Sequence, residues 1–135
     1  MTELLLRAEG LTAGYGKLPI LHDVTLQVYA GEMVSVIGPN GAGKSTAFKT
    51  IVGFVHASSG RVTFDGQDIT GLRPDQVLPR GLAYVPQGRV VFPQMTVLEN
   101  LEMGAYIERD GGRVREALAR VYTLFPILAE RRGQK

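Results

Sequence analysis

Gly38-Pro39-Asn40-Gly41-Ala42-Gly43-Lys44-Ser45 is the stretch on which the reading of this chain turns. It fits G-x-x-x-x-G-K-[ST], the phosphate-binding P-loop. Phosphate oxygens need several donors at close range, and successive backbone N–H groups supply them only where side chains do not block the approach. Glycines at 38, 41 and 43 remove Cβ atoms and allow the dihedrals such a loop needs. A helix opening near Lys44 would turn its unpaired N–H groups and positive dipole end toward the same phosphates. Lys44 is then placed to reach the β- and γ-phosphates, the Ser45 hydroxyl to bind Mg²⁺, and Thr46 to hold the α-phosphate side. Asn40 and Ala42 complete the cradle. The implied ligand is a nucleotide such as ATP with Mg²⁺. A chance match over a chain this long has odds of about half a percent.

The flanks carry the strand–loop–helix context that the motif requires. Met33–Ile37 is a short apolar run rich in β-branched residues, expected to be a strand buried on both faces. Ser45–Val52 reads as a helix with Ala47, Phe48, Ile51 and Val52 on one face and Gly53 as its stop. Upstream, residues 4–9 predict a first strand, Gly14–Lys17 a turn, and Val24–Val28 a strand of period two. Downstream, Arg61–Phe64 and Gln67–Ile69 flank Asp65-Gly66, a hairpin signal. Pro74–Leu78 predicts one helical turn, and Leu82–Val85 another apolar strand. Thr96-Val97-Leu98-Glu99 fits a helix capping box. Val114, Ala117, Leu118 and Val121 form one stripe of a further helix, which Pro126 interrupts. Gly111-Gly112 reads as a loop. This divides the chain into a nucleotide-binding core with a β subdomain over 1–87 and the beginning of a helical subdomain over 88–135.

Composition narrows the class. Apolar residues make up 44% and charged residues 21% of the 135 residues, a globular balance that excludes intrinsic disorder. Seventeen glycines are nearly twice the usual ~7% share, and the phosphate loop and turns account for many of them. Without cysteine, disulfides and thiolate metal sites are excluded. His22 and His56 lack ligand-like spacing, and neither is given a role. The net charge of +2 is mild. The arginines at 113, 115, 120, 131 and 132 read as a solvated helical face, so no nucleic acid partner is expected. Met33, Met95 and Met103 read as core filler. The first residues are not a signal peptide, and no apolar run approaches the ~18 residues of a membrane span.

Several separated stretches together resemble the ATP-binding subunits of ABC transporters. They are Ala13–Lys17, Leu21–Leu26, Gly31-Glu32 with Gly38–Thr46, Gly60–Ile69, Ala83-Tyr84-Val85-Pro86-Gln87, and Phe92–Leu101. The resemblance covers nearly the whole chain. Val85–Arg89 with Glu99–Gly104 is most similar to the importers of branched-chain amino acids or urea, although Gln87 stands where many of that group carry Glu.

The resemblance implies an α/β P-loop NTPase fold of the ABC ATPase type. An antiparallel β subdomain would lie at the N-terminus, followed by the start of a helical subdomain. It implies that Tyr15 stacks on adenine, with Ile20 either touching the base or lying in the core. It implies that Gln87 contacts Mg²⁺ or orients the attacking water, and that Val90, Val91 and Phe92 border the groove for a permease helix. Implied partners are a second ABC ATPase subunit, as homo- or heterodimer, and transmembrane permease subunits docking near Gln87–Phe92. Implied location is the cytoplasmic face of the cell membrane, held there through the permease.

An apolar strand ending in Asp-Glu, a histidine after residue 56 and a Leu-Ser-Gly-Gly-Gln signature do not occur. The chain therefore resembles the N-terminal part of such a subunit, expected to bind nucleotide without hydrolysing it alone. It is also expected to aggregate, because part of the sheet around Met33–Ile37 would lack neighbours. The alternatives are a stand-alone P-loop kinase, which should carry an arginine-rich lid, and a silent non-catalytic remnant.

Overall fold

A computed structural model describes residues 2–135. Two long strands, β1 (Leu4–Tyr15) and β2 (Leu18–Tyr29), form an antiparallel hairpin around Gly16-Lys17. The expected first strand is thus longer than residues 4–9, and Gly14 and Tyr15 are its last residues rather than part of the turn. After α1 (Lys44–Ile51), β3 (Ala57–Phe64) returns to pair with β1, and the short β4 (Gln67–Asp68) closes on β3. Among the described residues these strands make one sheet in the order β2-β1-β3-β4. The β3–β4 turn is the one expected at Asp65-Gly66. Both residues have positive φ, 49° and 72°, the requirement of a tight hairpin whose twist matches its strands.

α1 lies against the hairpin. Its face buries Ile51 and Val52 into a cluster with Ala8, Leu11, Val62 and Ile69, and Ala47 into a second one with Ala13, Leu21 and Val55. Phe48, expected on the same buried face, is 40% exposed. α2 (Pro74–Val77) supplies Val77 to the first cluster. This unit ends at Val85.

Two expected strands are not strands here. Among the described residues neither Met33–Ile37 nor Leu82–Val85 pairs with another segment. A strand exists by its ladder, and the ladder partner is remote in sequence. The side chains still alternate. Val34 and Val36 line a cavity of about 210 Å³ with Phe48, Leu82 and Tyr84, while Met33 and Ile37 are 93% and 92% exposed. Met33 is therefore surface, not core filler.

The second unit, Pro86–Lys135, is helical: α3 (Val97–Gly104), α4 (Gly111–Leu124) and α5 (Pro126–Glu130). α3 opens with the expected capping box. Glu99 N–H donates to Thr96 Oγ1 at 3.2 Å, and Thr96 N–H donates to Glu99 Oε2 at 2.7 Å. α4 begins three residues before its apolar stripe. Asp110 caps it by accepting from Gly112 N–H at 2.8 Å, which draws Gly111-Gly112 into the helix instead of a loop. α4 ends at Leu124, and Pro126 occupies the first position of α5, where a missing N–H costs nothing.

Candidate functional site

The site is built where the phosphate loop meets α1. Gly43 is the residue before the helix, with φ 93° and ψ 7°, a left-handed conformation that a side chain makes costly. Its surroundings leave little room for one as well. A Cβ there would lie 3.0 Å from Leu21 Cδ2 and 3.3 Å from Ile20 Cγ2. The loop is thus pressed onto the start of β2.

No side chain caps α1, and its first turn holds no acidic residue. Its opening N–H groups have no partner within the helix and sit at the positive dipole end. An anion is the natural complement of such a terminus. The Lys44 ammonium folds back over the loop, donating to the carbonyls of Gly38 at 2.6 Å and Pro39 at 2.8 Å. Charged phosphate oxygens are stronger acceptors than these neutral carbonyls, so the ammonium is at hand for an arriving phosphate. Ser45 is exposed on the first turn, and Asn40, Gly41 and Ala42 are exposed along the loop. Thr46 is buried under it. Uncapped helix, compact glycine loop and ammonium together suit the phosphate chain of a nucleotide.

The other expected site residues are placed as follows. Tyr15 ends β1 opposite Leu18 and is half exposed. Ile20 touches the loop at Gly43 while remaining 38% exposed. Gln87 is exposed in the second unit, between Pro86 and a left-handed Gly88 with φ 93°. Val90, Val91 and Phe92 are all exposed in that unit. The structure therefore gathers Gly38–Thr46 and Ile20 within the first unit. Sequence reasoning missed the part of Leu21 as floor of the loop. It also missed Asn100, whose side chain holds the backbone around Phe92.

Comparison with known families matches residues 21–132 to the ABC transporter family. The chain belongs to that family. The ABC chain is 40% identical over 132 residues to the high-affinity branched-chain amino acid transport ATP-binding protein BraG of Pseudomonas aeruginosa, covering 97% of this chain and 56% of that protein. It is equally 40% identical, over 106 residues, to the lipopolysaccharide export system ATP-binding protein LptB of Haemophilus influenzae, covering 78% and 44%. Among solved structures, a nucleotide-free ATP-binding cassette from an ABC transporter superposes with a TM-score of 0.81 at 30% identity, over 98% of this chain and 57% of that one. The fold is accordingly that of an ABC ATPase cassette, present in part. The ABC chain spans about half the length of the curated relatives it matches.

Proposed function

We propose that the ABC chain is the nucleotide-holding portion of an energy-coupling ATPase subunit of an importer, and that its cargo is a branched-chain amino acid or a related small polar solute. The observation that carries the nucleotide reading is the uncapped, acid-free start of α1 behind a left-handed Gly43, with Lys44 Nζ held over the loop. ATP is the ligand: Gly38–Gly43 and the first N–H groups of α1 embrace its phosphates, and Lys44 neutralises their charge. The Ser45 hydroxyl would hold Mg²⁺, and the ion would offset the charge of the phosphates. Tyr15 stacks on the base, and Ile20 gives it an apolar edge.

The cargo reading rests on the likeness to BraG. LptB, equally identical over a shorter span, names a different cargo, so the phosphate site itself does not choose between them. Family membership supports the remaining roles in this proposal. A second ATPase subunit forms a dimer with this one, and permease subunits dock at Gln87–Phe92, keeping the assembly on the inner face of the membrane. Among the described residues no helix is long and apolar enough to cross a membrane.

Equilibrium binding of a fluorescent ATP analogue with Mg²⁺ tests the nucleotide reading. The 135-residue chain should bind saturably, and Lys44→Ala should weaken binding at least about tenfold, the scale of a lost charge-assisted contact. Equal affinity of the two would overturn it. Phosphate release by the chain alone should not exceed that of the Lys44→Ala control.

A further inference from the structure

In the second unit, Phe92-Pro93-Gln94-Met95 forms a turn closed by Met95 N–H donating to the Phe92 carbonyl at 3.0 Å. Proline at the second position presets the backbone for it. Asn100, in the first turn of α3, grips this turn with one carboxamide. Its Oδ1 accepts from Phe92 N–H at 2.8 Å. Its Nδ2 donates to the Phe92 carbonyl at 3.1 Å, the Met95 carbonyl at 3.3 Å and the Thr96 carbonyl at 2.9 Å. Asparagine is the side chain whose donor and acceptor lie side by side. It therefore pairs with both main-chain groups of Phe92, as a neighbouring strand would.

We propose that Asn100 is a positioning residue that locks the exposed Val90-Val91-Phe92 patch to α3, so that a partner pressing on the patch acts on the helix and not on a loose loop. The partner's identity rests on the permease reading above; the clamp itself does not. Phe92 is half exposed, and among the described residues the hydrogen bonds on its backbone come from this side chain and its own turn.

Amide hydrogen exchange, read by NMR on the whole 135-residue chain without any permease, tests the clamp independently of the docking reading. In Asn100→Ala, exchange at the Phe92 amide should accelerate at least about tenfold, as the loss of that hydrogen bond and its companion implies. Asn100→Asp keeps an acceptor for Phe92 N–H but loses both donors, so Phe92 should accelerate less than in the alanine variant. The amides of Leu101 in α3 and Leu11 in β1 should exchange as in the parent, and affinity for the ATP analogue should not change. Unaltered Phe92 exchange in Asn100→Ala would overturn the proposal. So would equal acceleration across all of α3, or loss of the fold in both variants, since each makes Asn100 a general stabiliser and not a clamp.

Discussion

Gly43 carries two constraints at once, its left-handed backbone and its contact with Leu21. Gly43→Ala should therefore destabilise the chain by about 1–2 kcal/mol, measured by denaturant unfolding, and should weaken ATP-analogue binding in the same protein. A binding loss without a stability loss would mean that the loop relaxes around the methyl group. Lys44 and Ser45 stand out as candidates in the sequence alone, because phosphate chemistry requires their types at fixed spacing in a contiguous loop. Leu21 was not. Its place beneath Gly43 joins residues 22 positions apart, and an apolar residue on a strand gives no sign of which loop it will support. Asn100 was equally silent, since its four bonds depend on a turn folding back onto the helix.

At the scale of elements, three locally decided features were read correctly, whereas Gly111-Gly112, expected as a loop, opens α4. The Asp65-Gly66 hairpin, the Thr96–Glu99 capping box and the break at Pro126 are each decided within a few residues. Met33–Ile37 and Leu82–Val85 have strand-like composition, but their pairing depends on remote partners, and composition alone cannot supply a ladder. The capping box yields two expectations. Thr96→Ala should cost α3 about 1 kcal/mol, seen as faster amide exchange in its first turn. Glu99 is held below the usual carboxylate range, chiefly by the hydrogen bond from the Thr96 backbone N–H. A carboxyl whose folded value is depressed stabilises above its unfolded value and loses that contribution as pH falls through the folded one. The first turn of α3 should thus loosen on acidification below the ordinary glutamate range, and Glu99→Gln should remove that pH dependence. A pH series of α3 amide exchange checks both.

For the molecule as a whole, the consequential feature is uncovered apolar surface in the first unit. Met33, Ile37 and Val85 are 93%, 92% and 89% exposed, on runs that lack a strand partner among the described residues. Exposed, unpaired, β-prone segments are templates for association between chains. The 135-residue chain should self-associate at micromolar concentration, and Met33→Lys with Val85→Lys should shift it toward monomer in light scattering while leaving ATP-analogue affinity unchanged. A sharp, reversible, concentration-independent thermal transition of the parent chain would contradict this.

The packing of Gly43 onto Leu21 has a wider implication. Leu21 is 3% exposed and sits in one core cluster with Ala13, Ala47 and Val55. Scaffold and ligand cradle are therefore one mechanical part. A conservative swap such as Leu21→Val, made to repack the interior, would also lower the shelf on which the phosphate loop rests. If the loop holds a nucleotide as proposed, re-engineering this cassette for stability will retune that affinity at the same time.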